Sequence, residues 1–305
     1  MTDMAGAGTI LPSGRIAVAS LGSPTTVLPN FLVIGAMKSG TTSLAQYIGA
    51  HPDGFVTPDK EPDFFTRPDR YALGVAWYES LFAEASDAHA RGEASTSYTK
   101  FPRFRGTPQR IAEAVPEVRL LYVVRDPIDR IRSQYFHAVL RGKEKRPLVT
   151  VLAAEPQYVA NSRYGLQLDQ YLAHFDREQI LVLTSEQLRS DRAQTMTRVY
   201  GFLRLDTEAL PPQVHTAYHD TRDQAGARPF DQRLRAFPGH RLASRLAPSP
   251  VKSLYKKFST RRVEDLLNAA DLPAEILQRL QEDLRADVER VRTFLVDDFD
   301  GWGLG

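Results

Sequence analysis

The residues best placed to do chemistry lie in the run FLVIGAMKSGTTSLAQY, Phe31 to Tyr47. Gly35 and Gly40 bracket Lys38 and Ser39, and the hydroxyls of Thr41, Thr42 and Ser43 follow where helix-type residues begin. Strand, Gly-rich turn and helix N-terminus together make an anion cradle, because free N–H groups and the positive end of the helix dipole point at a phosphate. The nucleotide form of this loop reads G-x-x-x-x-G-K-[ST], with lysine directly after the second glycine. Here Thr41 holds that place and Lys38 comes three residues earlier. The cradle is kept and the cation is moved, which disfavours an NTPase or P-loop metabolite kinase. The plainer alternative is a Gly/Ser/Thr turn that only caps a helix. A second cation stands at Arg125, with Arg130 and Ser133 three residues apart and so on one helical face.

Elements must carry these groups. Phe31–Ile34 is an apolar run of strand length that stops at Gly35, and Thr41–Ala50 reads as a helix through Leu44, Tyr47 and Ile48. Phe55-Val56 predicts a short strand, and Tyr71 to Glu84 a helix on Trp77, Leu81 and Phe82. Leu120–Val124 is uninterruptedly apolar, as in a strand buried on both faces, and it delivers Arg125 to a strand's carboxyl end, where open α/β sheets bind ligands. Asp126-Pro127 then starts a helix, Asp as N-cap and Pro in the first turn. Residues 141–158, charged and interrupted by prolines, predict a flexible excursion on the acceptor side. A helix from Ser162 through Leu166, Leu168, Tyr171, Leu172 and Phe175 precedes a strand over Gln179–Thr184 and a helix ending at Phe202-Leu203. A strong helix from Pro273, carrying Ile276, Leu277, Leu280, Leu284, Val288, Val291 and Leu295, leads to Asp298-Phe299-Asp300-Gly301-Trp302.

The 305 residues suffice for one large α/β domain or two smaller ones. Apolar content of 42% and charged content of 25% are those of an ordinary globular chain, and a net charge of +2 carries no nucleic-acid signature. With no cysteine, disulfides, thiolate zinc sites and thiol catalysis are excluded, and a reducing compartment fits. No apolar run nears the ~18 residues of a membrane span. Residues 1–29 read as a flexible arm without a secretory h-region, which places the expected protein in the cytoplasm. Between Asp220 and Arg262 eleven Lys/Arg face three Asp, so the remainder of the chain is acidic. That basic 220–262 segment reads as a lid, as a surface for an anionic acceptor or partner, or as a solvated face.

G-x-x-K-S-G-T-T-S-L after a strand resembles the 5′-phosphosulfate loop of sulfotransferases that use 3′-phosphoadenosine 5′-phosphosulfate (PAPS). R-D-P-x-x-R-x-x-S-Q-Y from Arg125 is similar to the 3′-phosphate motif of that family, and K-E-P-x-F-F from Lys60 to the segment bearing the catalytic glutamate in its heparan-type and bacterial branch. Gly92-Glu93-Ala94-Ser95-Thr96-Ser97-Tyr98 resembles G-E-x-[ST]-P-x-Y near the acceptor pocket, with Thr96 where proline is common. The C-terminal D-F-x-x-W-type ending resembles the bacterial members, while a K-G-x-x-x-x-R-type closing loop is not found.

The resemblance, which runs from about Phe31 to Leu304, implies one α/β domain over 30–305, with a P-loop-kinase-like central parallel β-sheet flanked by helices and a basic helical C-terminal portion. It implies Lys38, Ser39, Gly40, Thr41, Thr42 and Ser43 at the 5′-phosphosulfate, Arg125 and Ser133 at the 3′-phosphate, Lys38 stabilising the leaving phosphate, and Glu61 as general base. The bland alternative for Glu61 is a solvated Lys-Glu pair on a turn. Lys60, Phe64, Glu93, Ser95 and His137 are the acceptor-pocket candidates, against a polar capping loop for Glu93 and Ser95 and a structural role for a lone histidine. The product would be adenosine 3′,5′-bisphosphate and the acceptor a small molecule or glycan. No metal is expected, the lysine and helix dipole standing in for magnesium. A binding protein of the same fold that has lost catalysis is the other class of reading.

Overall fold

The computed structural model describes residues 27–85, 87–215, 270–295 and 299–304. Residues 1–26 of the expected 1–29 arm, the basic 220–262 segment and Asp298 lie outside the described residues.

Five strands, β1 (Phe31–Gly35), β2 (Gly54–Val56), β3 (Ala90–Ala94), β4 (Arg119–Val124) and β5 (Ile180–Thr184), form one sheet in the order β2-β3-β1-β4-β5. All four pairings are parallel. The sheet is buried on both faces, which is why β1 and β4 read as continuous apolar runs rather than alternating ones. Leu32, Ile34, Leu120, Tyr122 and Val124 point to one face, packed by α4 (Thr107–Ala114), α8 (Tyr164–Leu172) and α11 (Ala274–Arg292). Phe31, Val33, Leu121 and Val123 point to the other, under α1 (Thr41–Gly49) and α10 (Arg192–Leu203). This is the P-loop-kinase-like arrangement. Because β1 has β3 on one side and β4 on the other, the crevice at their carboxyl ends is the switch point where such sheets bind ligands.

Two expectations need correction, and one strand has no signal in the sequence. The helix over 71–84 is two short ones, α2 (Pro68–Tyr71) and α3 (Gly74–Ser80), divided at Leu73 and at Gly74, whose φ of 78° only glycine adopts cheaply. Residues 141–158 are not an excursion. They hold α6 (Leu148–Ala154) and α7 (Gln157–Ala160), whose Leu148, Val151 and Tyr158 are buried against α5 (Pro127–Leu140) and α11. The strand β3 has no apolar run to announce it: its ARGEA sequence is selected by close approach, since a Cβ on Gly92 would lie 2.3 Å from Phe31 O.

Candidate active site

At the end of β1 the chain turns through Gly35, Lys38 (φ 70°) and Gly40 (φ 100°) into α1. Gly40 gives α1 no side-chain cap, so the first-turn N–H groups of Thr41, Thr42 and Ser43 point out of the helix with no side-chain acceptor from the capping position. Ser39 is wholly buried, and its hydroxyl has no hydrogen-bond partner among the described residues. A side chain at Gly35 would force its surroundings to shift, because a Cβ there would stand 2.0 Å from Thr99 Oγ1.

The neighbouring strand β4 brings up the second cation. Asp126 caps α5, its Oδ1 accepting from Asp129 N–H at 2.8 Å, and the Arg125 guanidinium donates to Asp129 Oδ2 at 3.0 Å. Arg125 Nε and, two turns into α5, Ser133 Oγ are buried without partners among the described residues. Tyr164 locks the strand end by donating its hydroxyl to Arg125 O at 2.8 Å. Arg130 does not join Ser133 on an open face, nor is it a surface ion pair. It is fully buried, donating to Ser162 Oγ at 2.6 Å, Gln134 Oε1 at 2.7 Å and Tyr158 O at 2.5 Å, so it ties α5 to α7 and the start of α8.

Between the cradles, positive charge accumulates. Lys38 Nζ lies 3.5 Å from His137 Nδ1. Burial, then Lys60, Arg141 and Arg125, hold the Lys38 amine below its usual range, with Glu61 pulling the other way. Burial and then the charges of Lys38, Arg141, Lys60 and Lys143 push His137 down to about 4, so its imidazole is neutral near pH 7. Like charges gathered this closely, with one carboxylate among them, make an opening built for anions.

Glu61 follows β2 and sits with φ 54°, two residues before Asp63 at φ 55°. Three hydroxyls after β3 hold this loop. Thr96 Oγ1 donates to Glu61 Oε1 at 3.1 Å, Ser95 Oγ accepts from Asp63 N–H at 2.9 Å, and Ser97 Oγ donates to Asp63 Oδ1 at 2.5 Å. A cavity of about 560 Å³ opens beside the loop, with Thr41, Thr42, Gln46, Lys60 and Glu61 in its wall. Among the described residues no three or more His, Asp or Glu side chains come together as metal ligands, and no helix is long and apolar enough to cross a membrane.

Lys60, Glu61, Arg125 and His137 thus lie within electrostatic reach of Lys38, Thr41 and Thr42 share a cavity wall with Lys60 and Glu61, and Ser39 and Ser133 are buried in the β1–α1 loop and in α5. Phe64, Glu93 and Ser95 do not line an opening, since each has no accessible surface. Phe64 stacks on Tyr78 with ring centroids 4.4 Å apart, and the Glu93 carboxylate accepts from Tyr98 Oη at 2.5 Å and Tyr78 Oη at 3.3 Å. They stand behind the site as its wall. Missing from the sequence reading are Arg141, at the end of α5, and Lys100. Lys100 is largely desolvated and electrostatically coupled to Glu61 and Asp63. The usable signal for Lys100 was its place just past a strand's carboxyl end, and it was hidden because β3 itself was hidden.

Fold and crevice define a P-loop-like α/β protein with two anion cradles a strand apart. The chain belongs to the sulfotransferase domain family, whose model matches residues 28–225. It is similar to human heparan sulfate glucosamine 3-O-sulfotransferase 3B1, 31% identical over 193 residues that make up 60% of this chain and 48% of that protein. It is also similar to mouse bifunctional heparan sulfate N-deacetylase/N-sulfotransferase 4, 31% identical over 58% of this chain and 22% of that one. The chain spans about half the length of the first of these curated relatives and less of the second. Among solved structures, a sulfotransferase from Alicyclobacillus acidocaldarius superposes with a TM-score of 0.64 at 25% identity, covering 90% of this chain and 98% of that one.

Proposed function

We propose that this chain moves a sulfuryl group from PAPS to a hydroxyl or amine of a glycan or small-molecule metabolite. Family membership supports the reaction class, and one observation carries the donor. Ser39 Oγ, Arg125 Nε and Ser133 Oγ are buried polar atoms without partners among the described residues, distributed over two adjacent strand ends. Each such atom left unpaired costs about 1–3 kcal/mol, so a ligand with anionic groups at both places accounts for all three. PAPS has them, a 5′-phosphosulfate and a 3′-phosphate; ATP lacks the second.

When bound, PAPS supplies the sulfuryl group. Lys38, Ser39, Gly40, Thr41, Thr42 and Ser43 would hold its 5′ end, and Arg125 with Ser133 its 3′-phosphate. Lys38 brings positive charge to the phosphate oxygen that must accept the electrons of the breaking S–O bond. The Glu61 carboxylate takes the proton that the acceptor loses as its oxygen or nitrogen bonds to sulfur. Lys60 and His137 border the acceptor side. The curated relatives' names concern heparan sulfate, which favours a sugar acceptor here. Because Lys38 and the helix dipole take the place that magnesium has in phosphoryl transfer, turnover is expected to survive EDTA.

The test is a thermal shift with adenosine 3′,5′-bisphosphate, beside ATP with magnesium and 5′-AMP. Selective stabilisation by the bisphosphate is the expected result. Stabilisation by ATP with magnesium alone would replace this reading with a kinase, and no shift at all would favour a chain that has lost catalysis. Glu61→Gln should lower kcat by roughly 10²–10⁴-fold and leave the bisphosphate shift nearly unchanged. Parallel loss of both would remove Glu61 from the role of base.

A further inference from the structure

We infer that Thr96, the residue by which this chain departs from its family's motif, positions Glu61 by hydrogen-bonding one carboxylate oxygen and leaving the other to face the acceptor. The inference rests on the reading of Glu61 as the base.

Glu61 needs such a hold. Its φ of 54° is one that non-glycine residues keep only when the surroundings impose it, and Asp63 repeats the condition at 55°. Asp63 is fastened by Ser95 and Ser97, and Thr66 Oγ1 lies 2.7 Å from Ser97 Oγ to extend the chain of hydroxyls. Those contacts fix the backbone of the loop but not the direction of the Glu61 carboxylate. Only Thr96 touches it among the described hydrogen bonds, Oγ1 donating to Oε1 at 3.1 Å. Thr96 is itself buried at 5% exposure in the turn that follows β3, so its hydroxyl is held by packing rather than by the partner it serves. A proline at this place would have no donor to offer. A threonine hydroxyl spends its single hydrogen on Oε1, which leaves Oε2 as the oxygen available to an acceptor's proton.

Three variants separate this role from a packing role. Thr96→Val keeps the shape and removes the donor, Thr96→Ser keeps the donor and removes a methyl group, and Thr96→Ala serves should the valine variant fail to fold. In T96V, kcat is expected to fall roughly tenfold or more, as for a lost hydrogen bond to a charged group. KM for PAPS and the thermal shift by adenosine 3′,5′-bisphosphate stay at wild-type values. T96S restores the rate. Wild-type kcat in T96V, or equal losses in T96V and T96S, overturns the inference. Wild-type protein without PAPS-dependent turnover sinks the proposed activity, whereas wild-type turnover that T96V leaves unchanged sinks this inference alone.

Discussion

Lys38 sits in a field of its own sign, and His137 reports on it. The imidazole lies against the Lys38 amine, and after burial the charges that hold it near 4 are those of Lys38, Arg141 and Lys60. An anionic ligand in the cradle screens those charges, so its arrival must make protonation of His137 easier. The expected outcome is a histidine that stays neutral down to about pH 4 without ligand and titrates at least about one unit higher with saturating adenosine 3′,5′-bisphosphate. Since binding then takes up a proton, affinity should increase as pH falls through the window between the free and bound values. Ring-carbon NMR of His137 measures the midpoints, and an unchanged midpoint would place the phosphates elsewhere. Protonating the free enzyme adds a further cation beside Lys38, which is why the ligand-free site resists it.

The elements contribute mainly by bringing backbone close to backbone. β1 ends against the turn Thr96–Thr99 after β3, where Thr99 Oγ1 donates to Ile34 O at 3.0 Å, and a Cβ on Gly35 would enter that contact. Gly35→Ala should therefore cost about 3 kcal/mol or more from overpacking and an unfavourable φ of 153°. Gly74→Ala, at φ 78° with nothing within 4 Å, should cost only about 1–2 kcal/mol. Thermal denaturation should show the first lowering Tm by several degrees more than the second and also abolishing the bisphosphate shift; equal losses would deny that the loop is built on this approach. Such contacts also mark the limit of what could be read from sequence. The Phe31–Ile34 and Leu120–Val124 strands and the motifs at their ends were legible because buried strands and phosphate loops are written in consecutive residues. β3 was not, because Gly92 is chosen by Phe31 O, a contact about sixty positions away. The role of Arg130 was hidden for a related reason: its spacing from Ser133 is local, but its partners Ser162 and Tyr158 belong to elements that only the fold brings near. Lys100 and Arg141 join the site by convergence of strand and helix ends, which no local pattern encodes.

At the scale of the whole molecule, one face of the sheet encloses a carboxylate in its aromatic core, and stability should depend on its proton. Glu93 has no accessible surface, Tyr98 and Tyr78 donate to its Oε1, and its Oε2 has no partner among the described residues. Tyr171 from α8 and Asp63 from the Glu61 loop face the same group, and Lys100 stands beyond Asp63. Burial raises the Glu93 carboxyl from an ordinary value near 4.5 to about 7, the neighbouring hydroxyls recovering part of the cost. In the unfolded chain the group ionises near the ordinary value. The folded form therefore binds the proton more tightly, and its contribution to stability is fully present below about pH 4.5 and lost as pH rises through about 7. The whole interval corresponds to roughly 3 kcal/mol at about 1.4 kcal/mol per pH unit. Other carboxylates titrate across this range, so wild-type denaturation alone cannot isolate the effect; the difference between wild type and Glu93→Gln can. Glutamine cannot ionise, so the stability gap should move in favour of the variant by up to about 3 kcal/mol between pH 5 and pH 8, read from urea midpoints at each pH. A gap that stays constant would mean that Glu93 ionises as freely inside the protein as in water, and that the two tyrosines and neighbouring Ser95 fully replace its hydration. Either result bears on the site as well, because β3 carries Glu93 into the core and then, three residues later, sets Thr96 against Glu61.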